Sequence, residues 1–279
     1  MKKVAIIENI HSDGLDLLKN TSGYEYEIID DTSEKNLINK LPNFDACTLR
    51  VSKLNSNILS KCKNLKVISR HGVGYDNVDL GYIKKNNIAL LITATANASA
   101  VAEHVISMIL TICKSLSLYD KEVRDGNFKK NSNKIKTIEL LNKTILIAGF
   151  GRIGKSLAKI CSGFNMIIKV YDPFVSKDTI NLHNCTKVDS LDDSLRECDF
   201  LSVHMPLNSK TKNLINFQNL KKMKKNAIII NTARGGIINE LDLHKALNEN
   251  IIFGAGLDVF ENEPIQKDNP LLKNDRVIL

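Results

Sequence analysis

Apolar and polar positions alternate along the chain in two successive series of β/α units. Short apolar runs at residues 4–7, 26–29, 46–49, 65–69 and 88–93 are separated by polar segments with helical spacing, which predicts five strands alternating with helices. Connections this short favour a parallel sheet with helices on both faces, because a right-handed crossover returns each strand beside its predecessor. The first series therefore predicts a flavodoxin-like domain. Residues 98–118 carry apolar side chains on several faces and contain neither glycine nor proline, which predicts one long, largely buried helix joining two domains. A second series starts at residue 143 with a strand over 144–148. Its next helix, 152–164, sets Ile153, Leu157, Ile160, Cys161 and Phe164 on one apolar face. Later strands are expected at 166–171, 199–204, 227–231, 252–258 and 276–279.

The fold class expected is α/β: two doubly wound parallel-sheet domains, a flavodoxin-like domain over residues 1–98 and a Rossmann domain over 99–279. A length of 279 residues agrees with two cores rather than one. Composition narrows the class further. The apolar run at the N-terminus meets Glu8 after four residues, too soon for a signal peptide. The longest apolar stretch, 105–113, contains Ser107 and Thr111 and falls short of the ~20 residues a membrane span needs. A cytoplasmic protein with no membrane partner is expected. Its six cysteines form no Cys-x-x-Cys pair and read as buried, reduced thiols, not a disulfide framework or a zinc site. The formal charge of +8 comes from dispersed lysines, with clusters at Lys129, Lys130, Lys134 and Lys136 and at Lys221, Lys222, Lys224 and Lys225. Neither cluster interleaves aromatics, so solvated surface is expected and no nucleic-acid partner.

The chemistry starts at Gly149-Phe150-Gly151-Arg152-Ile153-Gly154, which lies between a predicted strand and a predicted helix. Gly149 permits a tight turn, Gly151 lets backbone N–H groups approach a pyrophosphate, and Gly154 lets the helix pack close to the strand. Asp172 closes the next strand, eighteen residues after Gly154, as dinucleotide binding requires. A carboxylate there accepts from ribose hydroxyls and repels a 2′-phosphate, and Pro173 and Phe174 follow with no arginine, so NAD is expected rather than NADP. A glycine turn and a turn aspartate before proline are the plain alternatives.

Three further strand ends attract attention. Residues 70–77 place Gly72 and Gly74 at a strand's carboxyl end, where an anion nest and a simple turn are equally compatible with the residues. Arg234 follows the strand at 227–231 and could fork onto a carboxylate and its neighbouring carbonyl, although a surface ion pair is the commoner role. Residues 258–264 hold Asp258 at a strand end and Glu263 before Pro264, the latter unremarkable by itself.

In combination and in this order, residues 149–154, Asp172, 203–207, 231–240 and 258–264 resemble the D-isomer-specific 2-hydroxyacid dehydrogenase family. The resemblance runs from end to end, including 70–79 and 101–104, and is nearest to the phosphoglycerate dehydrogenase branch. It implies that Arg234 binds and polarises a 2-oxo acid, and that the substrate loop comprises Arg70, Val73 and Gly74, with backbone groups of the last two on the substrate carboxylate. Glu263 would sustain a protonated histidine, Asp258 would bond the nicotinamide carboxamide, and Arg152, Ile153, Pro206, Thr232 and Ala233 would line the cofactor. The activity implied is NAD-dependent interconversion of D-2-hydroxy and 2-oxo acids, with 3-phosphoglycerate first and glyoxylate or hydroxypyruvate as alternatives. The partners implied are a small-molecule substrate and a second copy in a homodimer. A corepressor-type NAD(H) sensor is the rival of another class.

One element of the pattern breaks. In the family the histidine stands in a Thr-Pro-His-Ile-Gly-like loop after the strand matching 276–279, and none of His11, His71, His104, His183, His204 and His244 occupies that position. His71 is the histidine closest to the substrate loop, while His104 and His204 read as structural. A fragment of a longer chain is expected, one that binds NAD better than it catalyses.

Overall fold

In the computed structural model the chain is described over residues 1–127 and 137–279. The lysine cluster at 129–136 lies outside the described residues. Two compact units are present, Met1–Asn97 and Ala98–Leu279.

The first unit runs β1 (Lys2–Ile7), α1 (Ser12–Lys19), β2 (Tyr24–Ile29), α2 (Glu34–Lys40), β3 (Ala46–Leu49), α3 (Ser56–Leu59), β4 (Val67–Arg70), α4 (Leu80–Lys85) and β5 (Ala89–Ile92). The five strands form one parallel sheet in the order β2-β1-β3-β4-β5, the flavodoxin-like order expected of the repeat. Ser33, Asn55 and Asp79 cap α2, α3 and α4 by accepting N–H groups of the first turn, so each helix has a defined start. The main core cluster lies on one face, where Leu37, Ile58, Leu59 and Ile83 of these helices meet Ala5, Ile7, Ile29, Cys47, Leu49 and Ile68, while Val4 and Ile6 are buried on the other. The helix α1 buries none of its residues fully.

The second unit begins with α5 (Ala98–Lys114) and α6 (Leu116–Arg124). The single helix expected over 98–118 is thus corrected to two. Ser115 adopts a left-handed conformation (φ 50°, ψ 41°) and the chain bends by 56° there. Only α5 is buried. Its side chains Met108 and Ile112 seat against glycines: a Cβ on Gly256 would come within 3.0 Å of the Met108 Sδ, and one on Gly254 within 3.0 Å of Ile112. Among the described residues no single helix is long and apolar enough to cross a membrane.

Then follow β6 (Thr144–Ala148), α7 (Arg152–Gly163), β7 (Ile167–Tyr171), α8 (Lys177–Asn181), β8 (Thr186–Val188), α9 (Leu191–Ser194), β9 (Phe200–Val203), α10 (Phe217–Leu220), β10 (Ile228–Asn231), α11 (Glu240–Asn248), β11 (Gly254–Leu257) and β12 (Val277–Ile278). Seven parallel strands take the order β12-β11-β10-β9-β6-β7-β8, so the chain reverses direction across the sheet between β6 and β9. Strands β9, β10 and β11 are buried along their whole length, as a parallel sheet covered on both faces requires. One core cluster packs α5 and α7 against the sheet and the other packs α11 and its neighbours.

The short edge strand β8 carries no hydrophobic pattern and was not expected. The expected face of α7 is largely the observed one: Leu157 and Cys161 are buried and Ile160 and Phe164 pack against the core, joined by Gly154 and Ala158, while Ile153 is only half-buried. The six cysteines are free and buried. Burial pushes the Cys198 thiol up to about 12, which keeps it protonated and inert.

Candidate active site

The fingerprint turn joins β6 to α7 where the strand order reverses, the place where open α/β sheets bind ligands. Its glycines are required for different reasons. Gly149 has φ 104°, and a Cβ there would approach the His204 carbonyl oxygen to 2.7 Å. A Cβ on Gly154 would collide with the Gly149 carbonyl. Both are fixed by the chain's own packing. At Gly151, in contrast, an added Cβ meets no atom within 4 Å, and no side chain caps the first turn of α7. The opening N–H groups of a twelve-residue helix, at its positive end, thus face a space that admits backbone approach by a pyrophosphate. The residues present fit a dinucleotide.

The carboxylate of Asp172, just after β7, ties this turn together. Its Oδ2 accepts the Phe150 N–H at 2.8 Å and its Oδ1 accepts the Phe174 N–H at 2.8 Å. Each oxygen retains a second lone pair, which leaves acceptor capacity for hydroxyl groups. Arg152 is exposed on the first turn of α7, and Ile153 beside it is half-buried. Pro206 is exposed beyond β9, where its carbonyl accepts from the Thr211 hydroxyl at 2.6 Å. His204 pairs its Nε2 with the Ser202 Oγ at 2.8 Å, while its buried Nδ1 has no partner. Burial lowers its pKa to about 4, so it is neutral at physiological pH.

Across the reversal, the carboxyl ends of β10 and β11 carry a second group of residues. Asn231 ends β10 fully buried, its Nδ2 donating to the Arg234 carbonyl at 2.9 Å and its Oδ1 accepting the Ala233 N–H at 3.0 Å. That one amide folds residues 232–234 into a fixed loop. Gly235 then lies so close to residues 260–261 that a Cβ would overlap the Phe260 carbonyl. The loops after β10 and β11 are therefore held backbone to backbone. Glu240 and Glu261 reinforce the contact, each carboxylate accepting the other's N–H, at 2.5 and 2.9 Å respectively, and Asn269 donates to the second oxygen of Glu240 at 2.6 Å. The Phe260 N–H donates to Glu263 Oε1 at 3.0 Å, and Glu263 is otherwise exposed.

Arg234 is half-buried, with Nη1 on the Ala233 carbonyl at 2.6 Å. The Thr232 hydroxyl is buried with no protein partner. Thr232, Ala233, Arg234, Asp258 and Glu263 thus stand along one sheet edge. Asn231, Gly235, Glu240 and Glu261, which hold them there, were missed by sequence reasoning. A polar residue ending an apolar strand was the signal available for Asn231. His104, read as a structural residue, does lie on a buried helix, but at its surface. Its side chain is 45% exposed, with Nε2 3.4 Å from Asp258 Oδ1.

The first unit builds its own loop cluster, also at carboxyl strand ends. Glu8, at φ 63°, turns Oε2 onto the N–H groups of Arg50, Val51 and Ser52, at 3.2, 2.8 and 3.4 Å. Asn77 donates to the Arg50 and Ser52 carbonyls at 3.1 and 2.7 Å and accepts from Arg70 Nε at 3.3 Å. Arg70 also donates to the His71 carbonyl. Its guanidinium therefore braces the loop whose crest carries Val73 and Gly74, both half-buried. Beside it, His11, Thr48, Ser69, His71 and Thr93 line a pocket of about 240 Å³.

Comparison with known proteins agrees with this geometry. Residues 106–279 match the family model for the D-isomer specific 2-hydroxyacid dehydrogenase, NAD binding domain. The chain is 35% identical to the D-3-phosphoglycerate dehydrogenase of Archaeoglobus fulgidus over 99% of its own length and 52% of that protein. It spans about half the length of the phosphoglycerate dehydrogenases it matches first. It is also 35% identical to the hydroxypyruvate reductase of Thermotoga maritima, over 99% of its own length and 89% of that protein. Among solved structures, the D-lactate dehydrogenase of Aquifex aeolicus complexed with NAD and lactic acid superposes with a TM-score of 0.86 at 30% identity, covering 99% of this chain and 87% of that one. With its fingerprint, strand order and paired loops accounted for by one family, the chain belongs to the D-isomer-specific 2-hydroxyacid dehydrogenases and carries their NAD-binding domain.

Proposed function

We propose that the protein is a cytoplasmic, NAD-dependent oxidoreductase that interconverts D-2-hydroxy acids and 2-oxo acids, with 3-phosphoglycerate as the leading substrate and glyoxylate or hydroxypyruvate as alternatives. The observation that carries this reading is the pair of loops after β10 and β11, in which Asn231 and Gly235 fix Arg234 on the edge that also presents Glu263. A guanidinium held there forks onto the carboxylate and adjacent carbonyl oxygen of a 2-oxo acid. NADH, when bound, would supply the hydride. The Arg234 guanidinium, already in place, would stabilise the negative charge developing on the carbonyl oxygen without reorganisation. Glu263 keeps lone pairs beyond the one given to the Phe260 N–H, and the resemblance assigns it the support of a protonated histidine whose proton would complete the alcohol, a histidine that none of the six in this sequence matches. Within the first unit, Val73 and Gly74 stand on the loop braced by Arg70, where successive backbone N–H groups suit a carboxylate. Arg152, Ile153, Pro206, Thr232 and Ala233 line the cofactor, with Asp172 on one ribose and Asp258 on the carboxamide.

The test is NADH absorbance followed in the full-length protein with 3-phosphohydroxypyruvate, hydroxypyruvate and glyoxylate. Turnover of at least one is expected. Tight NADH binding with no turnover across the panel would overturn the proposal in favour of an NAD(H) sensor. The same reading includes a homodimer, supported by α6, which buries no side chain fully and exposes Leu116, Leu118 and Val123. A monomeric mass by light scattering would remove that part.

A further inference from the structure

Asp258 follows β11 directly, and its N–H donates to the Asn231 carbonyl at 3.0 Å. Its backbone is thus fixed to the same residue that shapes the Arg234 loop, whereas its carboxylate is 53% exposed. Facing it is His104 of α5, Nε2 to Oδ1 at 3.4 Å, within ion-pair distance. The two residues are remote in sequence, and the fold explains how they meet. Ala102 and Val105, which flank the His104 turn, are fully buried. Further along α5, Met108 sits directly on Gly256 of β11, where a side chain would exclude it. Helix and strand are therefore locked together, and the imidazole is delivered to the strand's carboxyl end.

That end has a defined place relative to a dinucleotide. Asp172 lies after β7, on one side of the fingerprint at β6, so the first ribose belongs on that side. The second nucleotide of a doubly wound fold then extends over β9, β10 and β11, where Asp258 stands.

We infer that His104 is a positioning residue for the nicotinamide half of the cofactor: its Nε2 holds the exposed Asp258 carboxylate in the orientation that accepts the carboxamide N–H. Without it, a half-exposed aspartate must be immobilised when the cofactor binds. Ordering one such side chain weakens binding by up to ~10-fold. The inference rests on the NAD-dependent reading above and adds to it a residue outside the reacting groups.

The experiment measures binding of NADH and of ADP-ribose, which lacks the nicotinamide, to the full-length protein and to His104→Ala, His104→Gln, Asp258→Asn and the His104→Ala/Asp258→Asn double variant. Expected are a ~3–10-fold loss of NADH affinity in His104→Ala, unchanged affinity for ADP-ribose, and substantial recovery in His104→Gln, whose amide can donate from a similar distance. In the double variant the histidine change should add nothing to Asp258→Asn, the sign of two residues acting through one contact. Equal thermal unfolding midpoints identify variants that fold normally. An unchanged NADH affinity in His104→Ala, an equal loss for ADP-ribose, or additive effects in the double variant would each overturn the inference. If Asp258→Asn binds NADH as tightly as the wild type, this inference fails while NAD binding stands. Wild-type protein that binds neither ligand would remove the cofactor reading itself.

Discussion

At the residue scale, the three fingerprint glycines separate packing from ligand binding. Gly154→Ala should lower stability, because its Cβ would collide with the Gly149 carbonyl and also press on Ile147. Gly151→Ala should leave the unfolding midpoint unchanged and still weaken NADH binding, since no protein atom lies within 4 Å of the added methyl. Calorimetric melting beside NADH titration distinguishes the two, and a Gly151→Ala protein that binds NADH normally would remove the fit argued for the pyrophosphate. Arg234→Gln should reduce kcat/KM by roughly 10²–10³-fold at an unchanged NADH affinity, as expected of a group that meets charge developing in the transition state. An equal loss of NADH affinity would place Arg234 in cofactor binding instead. The needs of Gly151 and Gly154, and the positive φ of Gly149, were legible in the sequence because they arise within one turn. Gly235 was not, since its constraint is the Phe260 carbonyl, which only folding brings against it.

At the scale of elements, the sequence periodicity located most strands but not how far each helix runs. The apolar residues of 98–118 continue past Lys114, yet Ser115 turns left-handed and α6 leaves the core. Nothing local forbids a longer helix there. The buried surface of α5 ends at Cys113, just past the point where Ile112 meets Gly254. The same logic makes β11 glycine-rich: Gly254 and Gly256 let α5 lie directly on the strand. Gly256→Ala would place a Cβ 2.7 Å from Ile230 Cδ1 and 3.1 Å from Met108 Cβ, an overpacking that should cost about 1–3 kcal/mol in chemical denaturation. A neutral substitution would mean that α5 is less closely held than the geometry implies. The strand β8 escaped notice because a short edge strand with alternating threonine, lysine and valine lacks the apolar run that marks its neighbours.

At the scale of the whole molecule, one buried titration links the site to stability. His204 is held neutral by burial, with its pKa lowered from 6.5 to about 4. The unfolded chain takes up this proton more readily than the folded one, so the contribution is fully present above pH 6.5 and is lost as pH falls through about 4. That difference is worth on the order of 3 kcal/mol. Replacing His204 by Gln should flatten the dependence of unfolding free energy on pH across this window, and an unaltered slope would show that other groups dominate it. By itself the sequence determined the class of fold, two series of parallel β/α units, and the dinucleotide fingerprint with its acid at Asp172. These depend on spacing within a few dozen residues, over which side-chain periodicity and glycine geometry act directly. Only the tertiary structure decided which residues support the chemistry. Asn231 holding Arg234, Gly235 beneath Phe260, the Glu240 and Glu261 exchange, and His104 beside Asp258 join elements remote in the chain. Such contacts are set by the order in which strands pair, which no local pattern records.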